Sequence, residues 1–380
     1  MMFRFTPYLL KTLWRHHTRT LLTVSGSAVA VFVFAFVVSI QSGLKQLTDQ
    51  DDSVLVVFQA NKFCPATSHL PQDYEFKIRK VPGVRDVVPI QVFTNNCRAS
   101  LDVVVFYGVP ADKVQSSRDF TLVSGGWNEF ETHQDAGIVG QRLAKRRKLQ
   151  VGSKFSVGSV NVNVVGIFTS ENASEEDYVY CHLGFLQRTK GLDLVGTVTQ
   201  HEVFLVPGSE ASTVAAAIDE SFKGGPVLTD TRTKGAFQAS SLADLIQLID
   251  LSKYLGYACL GLMTVLLSTT TIMTVEDRVQ EHAVLQTLGV TTGRVFRLVL
   301  AECMLLSALG GFVGVASATI CLAFSGLSVG AEAVTIAFTP SFAVLSSGVL
   351  ASVLAGLLAG LIPAWRASRA DIVPALRAIG

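Results

Sequence analysis

Few of the side chains that do chemistry stand at the spacing chemistry needs. His201-Glu202 opens like H-E-x-x-H, in which two histidines one helical turn apart hold zinc and the glutamate acts as base. Leu205 occupies the second histidine's position. The six cysteines show no paired Cys/His spacing of a zinc site. No G-x-S-x-G elbow exposes a serine between residues 44 and 245. No G-x-x-x-x-G-K-[ST] loop occurs in the sequence to cradle phosphates, so ATP hydrolysis must come from another chain. Lys145-Arg146-Arg147-Lys148 reads as a solvated helix face, or as a contact for an anionic headgroup or acidic partner. Asn172-Ala173-Ser174 is a formal glycosylation sequon. The residues assign no catalytic, cofactor-binding or metal-ligating group, and a membrane-anchored hydrolase has no supporting constellation.

Composition explains what the chain is built for instead. Charged residues are 16% of 380 and the net charge is +1, so no bulk field favours nucleic acid. Mean hydropathy is +0.43, and the apolar residues are concentrated. Leu21–Ile40, Tyr254–Val275, Cys303–Gly330 and Ala333–Trp365 carry no charge. Each is long enough to cross ~30 Å of hydrocarbon as a helix, which takes about 20 residues. In the last run Thr339-Pro340 marks the entry, leaving Phe342–Ile362 as the span. Basic residues precede the first run, as in a signal peptide. Its apolar core is longer than such a segment needs and no A-x-A site follows, so a retained anchor is expected.

Orientation follows from Lys and Arg near the spans. Arg4, Lys11, Arg15 and Arg19 precede the first; Arg278, Arg294 and Arg297 lie between the second and third; Arg366, Arg369 and Arg377 follow the fourth. Both termini and the 276–297 segment are expected in the cytoplasm, with the long stretch after the first span on the other side. Cys259, Cys303 and Cys321 fall in spans. Cys64, Cys97 and Cys181 lie outside, where at most one bridge can join two of the three.

The outer stretch reads as mixed α/β. Ser53–Gln59, Leu101–Tyr107, Lys154–Val157 and Val160–Phe168 are β-branched runs, the last two joined by a tight turn at Gly158-Ser159. Helices are expected over Pro71–Lys80, Gly140–Leu149 and Glu210–Phe222, with turns at Pro82-Gly83 and Gly224-Gly225-Pro226. Ser240–Lys253 has helical spacing and runs into the second span. It is either a stalk, with a helix of ~50 Å over 240–275, or an amphipathic helix packed on the outer domain. Small residues at four-residue spacing, Gly310, Gly314 and Ala318 in the third span and Gly348, Ser352, Gly356 and Gly360 in the fourth, mark helix-packing faces. No charge lies deep in any span, so the spans read as packing elements rather than a solute path.

Within Glu276–Leu288, apolar Val279, Ala283, Leu285 and Leu288 alternate with polar residues at helical spacing. Gly289 is a helix stop, and Thr291 or Thr292 can cap the next helix. The pattern alone leaves two readings: a helix resting on headgroups, or a knob that docks into a soluble partner.

This segment resembles the R-x-x-E-I-G-L-L-R-A-L-G-A signature of the MacB/FtsX (LolC/LolE-like) family of ABC transporter permeases. Arg278, Glu281, Leu285, Leu288 and Gly289 match in register, with Ala283 where Gly is usual and Gln286 where a basic residue is frequent. Arg297, Glu302, Gly310, Gly311 and Gly314 continue as R-L-x-L-x-E…G-G-x-x-G. Pro363, Ala364, Arg366, Ala367, Asp371, Ala375, Leu376 and Arg377 resemble the family's tail, its second proline displaced from Ile372 to Pro374. LVSGGWNEFE…DAGIVGQRLAKRRKLQVGSKFSV is similar to the family's outer core domain, and the order of spans is the family's as well.

The resemblance implies an α-helical membrane protein with four transmembrane helices and an extracytoplasmic mixed α/β domain between helices 1 and 2. Its parts are expected at 1–43 (N-terminus and first helix), 44–245 (outer domain), 246–275 (stalk end and second helix), 276–297 (coupling helix), 298–363 (third and fourth helices) and 364–380 (tail). It implies a permease dimer, homo- or heterodimeric, with separate cytoplasmic ABC ATPase subunits that bind the ATP and Mg. Glu276, Arg278, Glu281, His282, Leu285, Leu288 and Gly289 would form the ATPase-coupling surface, unless the leucines face lipid instead. A membrane fusion protein or other extracytoplasmic partner, and membrane lipids, are further expected partners, in a bacterial inner membrane. Two functions stay open: mechanotransmission driving export or extraction of a lipid, lipoprotein or hydrophobic compound, and FtsX-like activation of a cell-wall hydrolase.

Overall fold

The computed structural model describes residues 17–48, 53–62, 65–95, 100, 103–118, 120–278, 286–287, 291–325, 328–331, 334–337 and 342–369. In chain order the elements are α1 (His17–Thr48), β1 (Val54–Gln59), β2 (Leu70–Pro71), α2 (Tyr74–Ile78), β3 (Val84–Thr94) and β4 (Val105–Val109). There follow α3 (Ala111–Ser117), β5 (Phe120–Gly125), α4 (Trp127–Thr132), β6 (Ala136–Gly140), α5 (Gln141–Arg147), β7 (Lys154–Val157), β8 (Val160–Ser170) and β9 (Tyr178–His182). Next come α6 (Leu183–Lys190), β10 (Thr197–Val198), β11 (Gln200–Leu205), α7 (Ala211–Phe222), β12 (Thr229–Thr233) and α8 (Lys234–Ser241). The chain continues through α9 (Ala243–Asp277), α10 (Thr292–Ser325), β13 (Ser328–Ala331), β14 (Val334–Ala337) and α11 (Phe342–Ser368). These elements form two units: one of Met1–Ser42, Leu248–Ser325 and Pro340–Gly380, the other of Gly43–Gln247 and Gly326–Thr339.

The second, outer unit is built on a ten-stranded sheet in the order β12-β1-β11-β3-β4-β9-β6-β8-β5, with β7 paired to β8. β4 with β9 and β6 with β8 are parallel; the other pairs are antiparallel. Successive strand residues point to opposite faces, and here both faces are covered. Val105, Tyr178 and Tyr180 enter a core with Val114 of α3 and Phe130 of α4. Their neighbours Phe106, Val179 and Cys181 enter another with Leu143 of α5 and Leu186 of α6. At the other end of the sheet Tyr74 stacks on Phe222, centroids 4.2 Å apart, seating α2 and α7 over Leu55, Val57 and Val203. The β7–β8 turn falls at Gly158, with φ +59° and Val157 opposite Val160.

Several expected boundaries moved for physical reasons. Pro71 is spent pairing with Thr197, so the helix expected over Pro71–Lys80 is only Tyr74–Ile78. The long membrane-entering helix starts at Ala243, because α8 ends at Ser241 and Leu242 leaves helical geometry with φ −105° and ψ 10°. The largest difference lies between α10 and α11, where the uncharged runs read in the sequence as span with an entry at Thr339-Pro340. β13 and β14 pair as a hairpin that belongs to the outer unit. Ser100 and Gly330 exchange two backbone hydrogen bonds of 2.9 and 3.0 Å, Thr335 Oγ1 donates to Ser174 O at 2.8 Å, and Arg146 Nη1 donates to Ser328 Oγ at 2.8 Å. Ile336 and Val334 are buried there.

Among the described residues the other unit holds four helices long and apolar enough to cross a membrane: His17–Lys45, Ala243–Asp277, Thr292–Phe324 and Val344–Ser368. Val31 and Ala35 of α1, Met263 and Leu267 of α9, Leu306 and Val315 of α10, and Ala355 and Ala359 of α11 share one core. Close backbone approach sets the packing. Gly310 and Gly314 lie against Ser27, Ala28 and Phe32 of α1; Gly348 lies against Val315, and Gly356 and Gly360 against Cys303 and Ser307. α11 runs through Pro363 to Ser368, past the end expected from its apolar run. Substituting Gly356 with Leu should force overpacking worth about 1–3 kcal/mol and lower the unfolding temperature in detergent. Gly261→Leu, placed in open space, should leave it unchanged.

Candidate functional site

Of the residues read as the coupling surface, Glu281, His282, Leu285, Leu288 and Gly289 lie outside the described residues. Glu276 sits exposed in the last turn of α9. Arg278, the residue just past that helix, is turned inward, with its Nη1 3.5 Å from Glu302 Oε1 of α10. Its backbone N–H donates to Val275 O at 3.2 Å, the tightened i→i−3 bond of a helix end. Asp277, between them, takes a 2.9 Å hydrogen bond from Arg19 Nη1 of α1. Thr291 O accepts from Arg294 N at 2.8 Å and opens α10, whose first turns carry exposed Arg294 and Arg297. Thr20, Thr23, Thr270, Thr271 and Thr274 line the cleft in which the four charges meet. Asp277 and Arg19 were not part of the expected site; Asp277 lies beside Arg278 in sequence, but nothing in the pattern pairs it with Arg19.

The outer unit has a polar centre of its own. Arg118 Nη1 lies 2.7 Å from Glu202 Oε2, both side chains almost fully buried, and the guanidinium sits over the Tyr180 ring. Tyr107, Tyr178, Asn172 and Gln238 complete the cavity wall, and Lys234 Nζ pairs with Glu175 Oε1 at 3.3 Å. Burial pushes the Glu202 carboxyl up, but Arg118 and Lys234 outweigh it and hold the group below its usual range. Burial raises the Tyr178 phenol to about 12. On β11 His201 and Glu202 face opposite ways, so His201 meets Pro71 O through Nε2 at 3.2 Å, away from Glu202. Desolvation lowers its pKa to about 4.

The basic run of α5 divides. Lys145, Arg147 and Lys148 are exposed, whereas Arg146 turns to the buried Asp177, 3.1 Å from Oδ1. Burial raises the Asp177 carboxyl's pKa against the pull of Arg146 and Arg142. A G-x-S-x-G pattern does occur at 326–330, but Ser328 begins a strand and accepts from Arg146. Cys181 is a free thiol buried in β9, and burial raises its pKa. Cys64 and Cys97 lie outside the described residues.

Two family models match the chain in sequence order. The MacB-like periplasmic core domain matches residues 20–221, more than half of the chain, and the FtsX-like permease C-terminal matches 255–372. The chain belongs to the MacB/FtsX-type ABC transporter permeases. YknZ of Bacillus subtilis, an uncharacterized ABC transporter permease, is 21% identical over 97% of each chain. An uncharacterized ABC transporter permease of Methanocaldococcus jannaschii is 21% identical over 80% of each. Among solved structures, the periplasmic region of MacB from Actinobacillus actinomycetemcomitans aligns at 10% identity and TM-score 0.37, covering 50% of this chain and 92% of that one. The extracellular domain of YknZ from Gram-positive bacteria aligns at 15% identity and TM-score 0.35, covering 47% and 99%.

The permease is thus a membrane protein with an inserted α/β domain, and its family implies an ATPase partner. Its buried polar groups make stability depend on pH. The folded permease binds fewer protons at His201 than the unfolded chain does between about pH 6.5 and 4. His201 should therefore withdraw up to roughly 3 kcal/mol of stability across that window as pH drops, at 1.36 kcal/mol per unit, with the raised Asp177 carboxyl opposing it and the depressed Glu202 carboxyl continuing the loss at lower pH. Thermal unfolding of wild-type permease against pH should show this slope, and His201→Gln should flatten it.

Proposed function

We propose that this permease couples a separate cytoplasmic ATPase to work outside the membrane by mechanotransmission, exporting or extracting a lipid, lipoprotein or hydrophobic compound. The observation that carries this reading is the FtsX-like family match, which runs through the 276–297 segment, in a sequence without a phosphate-binding loop. The ATPase binds ATP and Mg. Its closure moves the segment between α9 and α10, and the outer domain answers. Glu276, Glu281, His282, Leu285, Leu288 and Gly289 form the docking face, the charges orienting it and the leucines filling a groove. The permease acts as a dimer in a bacterial inner membrane, with both termini in the cytoplasm. That the α10–α11 hairpin belongs to the outer unit supports placing it on the same side as the large domain.

Affinity capture of tagged permease from native membrane should bring down an ABC ATPase together with lipid or lipoprotein. Glu281→Lys combined with Leu285→Asp should abolish ATPase capture while leaving insertion intact; undiminished capture and ATPase stimulation would sink the docking assignment. Recovery of a cell-wall hydrolase in place of lipid cargo would replace export with FtsX-like regulation. Topology is read separately, in a background with Cys64 and Cys97 changed to Ser. A membrane-impermeant thiol reagent added to whole cells should label Glu129→Cys, exposed in α4, and spare Gln286→Cys. The reverse pattern overturns the orientation.

A further inference from the structure

Asp277 and Arg278 are consecutive and opposite in charge, and they part in different directions at the end of α9. Arg19 Nη1 donates to Asp277 at 2.9 Å and to Thr274 Oγ1 at 3.3 Å, tying α9 to α1. Arg278 ties it to α10 through Glu302 at 3.5 Å. The side chains of the first pair are 39% and 63% exposed, those of the second 10% and 11%. An exposed pair is exchangeable with water and contributes little. A buried pair is held by the cost of leaving either charge alone.

The surroundings raise that cost. Thr23, Thr270, Thr271 and Thr274 line the same cleft, but their hydroxyls donate to carbonyls one turn back in their own helices. Nearby, Val275 packs with Val295 and Val299 of α10 and Ala364 and Ala367 of α11. Packing alone needs no charge here, since apolar side chains of similar volume usually hold a buried site at least as well as an ion pair. Ionisable groups kept between membrane helices more often serve function.

We propose that Arg278 and Glu302 form the joint through which force on the chain after Arg278 enters α10. Arg19–Asp277 is the looser tie that lets α1 follow. This rests on the coupling reading above and gives Arg278, which the family resemblance placed on the coupling surface, a positioning role inside the permease instead. Neither partner can leave the joint without burying a lone charge, so displacement at Arg278 carries Glu302 with it. α10 passes it on through Gly310 and Gly314 to α1 and through Cys303 and Ser307 to α11.

The test uses full-length permease with its captured ATPase in lipid nanodiscs, reading ATPase stoichiometry and stimulation of ATP hydrolysis separately. Arg278→Glu and the isosteric Glu302→Gln should bind ATPase at the wild-type ratio while stimulation falls about tenfold. The swap Arg278→Glu with Glu302→Arg should restore most of it, because the pair is rebuilt with its ends exchanged. Unchanged stimulation in both single variants overturns the joint. So does loss of ATPase from Arg278→Glu that the swap fails to recover, which would make Arg278 a docking residue. If the single variants aggregate, the swap decides alone: folded, bound and stimulating supports the joint, while folded, bound and inert overturns it. Wild-type permease that captures no ATPase overturns the coupling reading itself, and the joint with it.

Discussion

Ser307 of α10 and Ser352 of α11 each donate a hydrogen bond to the other's backbone carbonyl. That reciprocal clasp requires the two helix backbones to lie almost in contact, and the membrane unit depends on such contact. Lipid is as apolar as leucine, so no hydrophobic drive brings these helices together; dispersion and the occasional interhelical hydrogen bond must do it. Glycine and serine at the crossings supply both. Gly356 and Gly360 follow the clasp on α11, lying against Cys303 and Ser307 of α10, and Gly310 and Gly314 repeat the close approach against α1. α10 is thereby held on two sides, and its membrane window is the most buried of the four. Such packing is what the proposed coupling asks of α10.

The outer unit solves the opposite problem, because it buries charge on purpose. Arg118–Glu202 and the Arg142–Arg146–Asp177 group sit in places where an unpaired charge would be costly, so each member holds the others in register. The second group also reaches Ser328, a residue that lies in sequence between two membrane helices. With the backbone bridge at Gly330 and the Thr335 bond to Ser174, it makes the hairpin part of the outer fold. The chain therefore passes between the two units four times, at residues 42/43, 247/248, 325/326 and 339/340.

Much of this was legible in the sequence, and the legible parts share a cause. Membrane helices announce themselves because hydrocarbon tolerates only long apolar runs, and four such runs occur where four helices stand. The β7–β8 hairpin was readable because a Gly-Ser pair between alternating strands admits few other conformations. β9 and β11 were not. YVYCH and QHEVFL are covered on both faces and carry His and Glu inward, so neither alternation nor apolar continuity marks them. Their burial becomes possible only once Arg118 and Pro71 arrive from elsewhere in the chain.

The sequence by itself determined that the chain enters a membrane, how often, and to which family it belongs. Those properties depend on local composition and on motif order, which need no folding to be read. Only the tertiary structure decided that Arg278 faces Glu302 rather than solvent and that Asp277 turns to Arg19. It alone placed the 328–337 hairpin in the outer domain and set His201 and Glu202 back to back. Each of those outcomes is a pairing between residues distant in sequence. Burial decides it by making a buried charge or backbone group costly until a particular partner is brought within reach.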